Sequence, residues 1–155
     1  TRCRYVTGVQ TCALPIYMYA RAVYADVVTE VRDELAKRVD AVVHAGVDPA
    51  RIVLDPGLGF GKRPEHNWPL LARLAELGTL ASGTFPVLVG ASRKGFLGKL
   101  LAGHDGTPRT LADRDQATVA VTALAAAAGA WCVRVHVVPP NADAVLVAAA
   151  WQGSR

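Results

Sequence analysis

A parallel α/β fold is what this sequence predicts, and three observations predict it. Three short apolar runs, at 51–54, 86–90 and 131–137, show no polar alternation and so read as strands buried on both faces. Longer stretches with apolar residues three and four apart alternate with them and read as covering helices. Each apolar run also stops at an unusual polar or glycine-rich segment, the place where parallel sheets build their sites.

The elements follow in order. Over 21–44, Val23, Val27, Val28, Val31, Leu35, Val39, Val42 and Val43 form one stripe, with the pairs Asp33/Lys37 and Glu34/Arg38 on the outer face. Gly46 supplies a left-handed end to this helix. The first strand is 51–54. A helix capped by Asn67, with Pro69 in its first turn, carries Leu70, Leu71, Leu74 and Leu77 inward. The second strand, PVLVG, runs into a turn and short helix over 91–101, and 105–112 reads as a loop. Asp113 with Gln116 fits a capping box for an alanine-rich helix that stops at Gly129. The third strand, WCVRVHV, is halted by Pro139 and Pro140, and a last helix spans 141–151.

The chain has 155 residues, 52% hydrophobic and 19% charged, which suits one buried core and excludes disorder. No apolar run approaches the ~18 residues of a membrane span. Lys and Arg number 17 against 13 acids and are scattered, which favours small anionic ligands over nucleic acid. Cys3, Cys12 and Cys132 fit neither a zinc site nor a disulfide framework, pointing to a reducing cytoplasm. Residues 1–16, TRCRYVTGVQTCALPI, lack sustained periodicity and the layout of a secretory signal. They resemble translated adapter sequence, so the expected domain is 17–155. Without Arg2 and Arg4 the basic count falls from 17 to 15 and the net charge from +4 to +2.

The chemistry lies at the three strand ends. IVLDPGLGFGK fails as a Walker A loop, because Pro56 and Arg63 stand where Gly and Ser or Thr are needed. It fails as a dinucleotide fingerprint because Lys62 holds a required glycine position. What remains is a loop whose Gly57, Gly59 and Gly61 let a flat ligand approach, with Asp55 as acceptor and Phe60 for stacking. Read alone, Asp55 is equally a turn cap. Arg134 and His136 share one strand face, where two such side chains need an anion or a salt bridge. Lys94 opens a short helix, a position that favours negative charge but also suits a surface lysine. His44, His66 and His104 read as structural or solvated, and Trp68, Trp131 and Trp151 as core.

With these segments in place, the chain resembles the C-terminal half of the dihydropteroate synthase family. VLDPGLGFGK with EHN, VLVGASRKGFLG and GAWCVRVH occur in the family's order, and VYADVVTEVRDEL is similar to its preceding helix. The resemblance covers about residues 18–151. It implies a partial (β/α)8 TIM barrel, of which about three parallel strands with covering helices are present. The implied reaction condenses 6-hydroxymethyl-7,8-dihydropterin diphosphate with 4-aminobenzoate, releasing diphosphate with Mg²⁺ and feeding folate synthesis. Asp55 would bind the pterin's N–H groups, and Lys94 its oxo and ring atoms beside the aminobenzoate. Phe60 and Gly90 would line the pocket, Gly95 would face the aminobenzoate carboxylate, and Arg134 and His136 would hold the leaving diphosphate. Lys94, Arg134 and His136 are thus the expected catalytic residues. Family members are commonly homodimers.

Two departures qualify the resemblance. Val137 stands where the family carries an acid after Arg-x-His, and the family's early loops, with the metal-binding Asn, have no counterpart here. No metal ligand is therefore expected within this chain, and the chain alone is expected to be inactive. Two other readings share the pterin pocket: a methyltetrahydrofolate-dependent corrinoid methyltransferase and a non-catalytic paralogue. The cationic segments Ser92-Arg93-Lys94 and Arg134-Val135-His136 argue against the first, whose chemistry releases no diphosphate.

Overall fold

A computed structural model describes residues 22–154 of the chain; the segment 1–16 lies outside them. Leu54, strand β3 (Leu88–Val89) and strand β4 (Cys132–Val133) run parallel, side by side, with β3 in the middle. Leu54 pairs with Val87, Leu88 with Cys132 and Val89 with Val133. The three predicted strands are therefore present, adjacent and parallel, but each pairs over one or two residues only. Residues 49–51 form a 3₁₀ turn in place of the strand's start, because Pro49 cannot donate to a ladder and Asp48 caps the turn by accepting from Ala50 N–H.

Helix α1 spans Val27–His44, six residues shorter at its start than predicted. Asp26 is the reason: its carboxylate accepts from the N–H groups of Val28 and Thr29, and its own backbone is extended. The predicted end holds. Gly46 sits at φ +93° with its N–H on Val43 O, while Val47 N–H reaches back to Val42 O. Of the two predicted surface pairs, Glu34–Arg38 closes at 2.6 Å, whereas Asp33 lies 3.9 Å from Arg32.

The next helix corrects the sequence reading. Helix α2 runs Pro64–Ala72, followed by one turn, α3 (Leu74–Leu77). Its first residue is Pro64, and His66 Nδ1 accepts from Arg63 N–H at 3.1 Å, so Asn67 is not the cap. Pro69 then falls inside the helix, which breaks at Arg73. A small antiparallel hairpin absent from the prediction, β1 (Thr79–Leu80) with β2 (Gly83–Thr84), closes this region.

Helix α4 is Gly95–Leu100, as expected of a short helix. A 3₁₀ turn, Ala112–Arg114, leads into α5 (Asp115–Ala127). The predicted capping box does not form: Asp113 accepts from the Thr110 hydroxyl at 2.6 Å instead. The last helix, α6 (Val138–Gly153), contains Pro139 and Pro140 in its first turn, where a missing N–H costs nothing. These prolines start the helix rather than merely ending the strand.

One core joins Val27, Val28 and Val31 of α1, Leu70, Leu74 and Leu77, Val87 and Val89, Phe96 and Leu97, and Val121 and Ala125 of α5. Trp68 packs edge-on to Phe96 at 5.0 Å, but Trp131 and Trp151 are 65% and 63% exposed and so are not core. They sit just before β4 and near the end of α6, outside the layer that α1 to α5 seal around the sheet. Among the described residues no helix is long and apolar enough to cross a membrane.

Candidate active site

The loop after Leu54 takes its shape from four anchors. Leu58 is fully buried in the core, which contributes about 2 kcal/mol of holding energy. Asn67, 1% exposed, accepts from Gly59 N–H at 2.7 Å and donates to Arg63 O and Pro64 O. Tyr24 donates its hydroxyl to Gly61 O at 2.7 Å. Lys62, 7% exposed, turns back under the loop and donates to Gly57 O and Phe60 O, each at 3.2 Å. Burial pushes its pKa down to about 8; Asp55 opposes the fall and the Lys94 charge adds to it. Gly57, Gly59 and Gly61 all have φ between +58° and +72°, which explains why the loop is glycine-rich. At Gly59 a Cβ would lie 3.0 Å from Lys94 Cδ, so this glycine is also needed for the approach of Lys94.

Asp55 caps its turn and also pairs with an arginine. One carboxylate oxygen accepts from Gly57 N–H at 2.8 Å and turns the chain. The other accepts from Arg134 Nη2 at 3.0 Å, from the end of β4. Arg134 crosses the middle strand to reach it, and Gly90 is what lets it pass: a Cβ there would stand 2.5 Å from Nη2. Lys94 extends its ammonium over the Phe60 ring, 3.4 Å from the centroid. Its pKa is lowered by burial first and by Arg134, with Asp55 acting against them. Phe60 remains 42% exposed. Asp55, Phe60, Gly90, Lys94 and Arg134 thus meet at one rim of the sheet.

His136 makes no contact with these five residues; it is held by Ser92. Ser92 Oγ accepts from His136 N–H at 3.2 Å and lies 2.8 Å from the ring Nδ1, so this one hydroxyl fixes both the backbone and the imidazole of His136. Gly95 begins α4 beside this turn, with open space where a Cβ would be. Val137 follows as the residue that caps α6 without a side-chain bond.

One member of the expected cationic set does not belong. Arg93 turns away from the rim and makes two 2.8 Å bonds to Asp115, and these bonds hold Asp115 below the usual carboxylate range. Among the described residues Arg93 is the one non-glycine with positive φ, at +58°, a conformation costing about 1–2 kcal/mol. His44 and His104 are exposed and His66 caps α2, all outside the rim.

The sequence reading missed Lys62 and the inward role of Asn67. Both lie next to quoted motif residues, but nothing in their spacing says that their side chains fold back under the loop.

Chemically, the rim offers an acceptor for a donor-rich heterocycle, a flat hydrophobic face and a line of cations. The model of the family described as pterin binding enzyme matches residues 5–136. Dihydropteroate synthase from Mycobacterium leprae is 56% identical over 128 residues, covering 83% of this chain and 44% of that protein. Among solved structures, Yersinia pestis dihydropteroate synthase with a sulfonamide drug has a TM-score of 0.79 at 34% identity, covering 90% of this chain and 47% of that one. The Xanthomonas albilineans enzyme in complex with 7,8-dihydropteroate has a TM-score of 0.75 at 42% identity, covering 84% and 47%. The chain spans less than half the length of these relatives. With parallel strands whose ends meet in a single rim, it is a partial α/β barrel and belongs to the pterin-binding enzyme family.

Proposed function

We propose that the intact protein carrying this chain is a dihydropteroate synthase, joining 6-hydroxymethyl-7,8-dihydropterin diphosphate to 4-aminobenzoate in folate synthesis. The observation that carries this reading is the meeting of Asp55, Lys94 and Arg134 at one sheet rim, with Asp55 and Arg134 3.0 Å apart. The ion pair is exposed on both sides and is replaceable: a pterin's amino and ring N–H groups offer Asp55 a bidentate fit that frees Arg134 for an anion. Lys94 would then bond the pterin's oxo group while Phe60 walls the pocket, and the aminobenzoate carboxylate would face Gly95.

The reaction breaks the bond between the pterin methylene carbon and the diphosphate oxygen. The ring delocalises the resulting cation, the aromatic amine attacks the carbon, and the amine loses a proton. Arg134 and His136 stabilise negative charge on the departing oxygens, which is greatest in the transition state. Holding both reactants in line removes much of the entropic barrier. No covalent intermediate is required. The cations Lys94 and Arg134 at the rim favour this reading over the methyltransferase one, whose chemistry releases no diphosphate.

Magnesium belongs to the proposed reaction. Among the described residues no three His, Cys, Asp or Glu side chains cluster for a metal, and the rim carboxylate of Asp55 faces Arg134. A homodimer is also proposed; exposed Leu124, Leu146 and Val147 on α5 and α6 are consistent with one. The proposed compartment is the cytoplasm.

Diphosphate release decides the matter. A protein that carries this chain within a full barrel should release diphosphate and form 7,8-dihydropteroate when given the pterin ester and 4-aminobenzoate. Arg134→Ala should lower that turnover by about 100-fold or more, and His44→Ala should leave it unchanged. Equal effects would remove Arg134 from the reaction. The 155-residue chain by itself should show no turnover.

A further inference from the structure

The arginine excluded from the rim has a different task. Residues 91–94 form a turn closed by Lys94 N–H to Ala91 O at 3.1 Å, and Arg93 occupies its third position. A left-handed residue there is ordinarily glycine or asparagine. Arg93 is held in place by the start of α5 and the turn before it. Its guanidinium forks onto Asp115, its N–H reaches Thr118 Oγ1 at 3.3 Å, and its carbonyl accepts from Arg114 Nη1 at 3.0 Å. Arg114 is itself braced by Arg109 O at 2.8 Å and lies against Gly98, where any Cβ would collide with its guanidinium.

We infer that Arg93 is a positioning residue: its fork onto Asp115 forces the left-handed turn that sends Lys94 over Phe60 and Ser92 to His136. The side chains on either side of Arg93 leave in the opposite sense, one to the Phe60 ring and one to the imidazole, because the residue between them is pinned outward. A glycine would permit the same backbone angle without enforcing it. An arginine at this strained position converts a permitted turn into a required one through its fork. The inference deepens the proposed pterin–aminobenzoate site and rests on that reading only for its effect on substrates.

A ligand-free measurement tests it in the 155-residue chain. In the wild type the ε-methylene protons of Lys94 lie over an aromatic face and should resonate upfield in a ¹³C-lysine spectrum, the assignment being made with Phe60→Leu. Arg93→Gly relieves the strain but deletes the fork, and Asp115→Asn keeps the strain but weakens the fork. Both should erase the upfield shift, with Arg93→Gly keeping the wild-type circular dichroism, while Asp115→Glu, which preserves the pair, should keep the shift. Retention of the upfield resonance in Arg93→Gly, or in a folded Asp115→Asn, would overturn the inference. Titration of a protein that carries this chain within a full barrel with 6-hydroxymethyl-7,8-dihydropterin diphosphate is a separate arm. Failure to bind there, with the resonance still responding to the fork, would count against the pterin reading and not against the role of Arg93.

Discussion

Two loops at the rim both need left-handed backbone, and they obtain it in opposite ways. In residues 55–62 the positive φ angles fall on Gly57, Gly59 and Gly61, which adopt them without steric penalty. That freedom defines no shape, so the loop is stapled from beneath by Asn67, Lys62, Tyr24 and Leu58. In residues 91–94 the positive φ falls on Arg93, and the same side chain that suffers the strain makes the bonds that maintain it. A permissive residue needs external anchors, whereas a restrictive residue can be its own anchor. Lys94 depends on both loops, since Gly59 clears its path and Arg93 sets its direction.

The strongest test of the first mode is Asn67→Ala, which leaves the half-buried Gly59 N–H without its partner and empties a fully buried side-chain site. It should lower unfolding free energy by about 3 kcal/mol; a loss similar to that of an exposed substitution would show that the staple is dispensable. Gly59→Ala comes next. It forces a Cβ onto a left-handed residue against Lys94, and urea denaturation should register a loss of about 2 kcal/mol. The companion change Lys94→Ala should recover the steric part but not the conformational part.

Lys62 sharpens the comparison through pH. Its folded pKa of about 8 lies below the ordinary 10.5, so between these values the unfolded chain binds more protons than the folded one. Stability contributed by this group should therefore rise as pH climbs from about 8 to 10.5, and the burial penalty is fully present below 8. The total rise should be about 3 kcal/mol. In Lys62→Met that slope should vanish relative to the wild type; parallel curves for the two proteins would mean that Lys62 is hydrated in solution. The smallest effect is expected far from both loops, where Glu34→Ala breaks an exposed pair on α1 and should cost about 0.3–0.5 kcal/mol by thermal melting.

Much of this was legible because periodicity and turn chemistry are local. The α1 stripe, the left-handed Gly46 and the adjacency of three parallel strands follow from residue spacing and strand–helix alternation. Local competition defeated the rest. Asn67 looks like a cap until Pro64 and His66 start the helix earlier, and Asp113 looks like a cap until Thr110 takes its carboxylate. Trp131 and Trp151 read as core by residue type, and no local signal places them outside the sealed layer.

The sequence by itself determined the class of fold, the order of the strand ends and the residues that carry polar chemistry at each of them. Hydrophobic spacing and glycine placement act over a few residues and leave their mark in one dimension. Only the tertiary structure decided which charges meet. Asp55 and Arg134 are 79 positions apart, and Arg93 chooses Asp115 over the rim because the start of α5 brings that carboxylate within 2.8 Å. Such pairings depend on distances created by packing, which residue order alone does not encode.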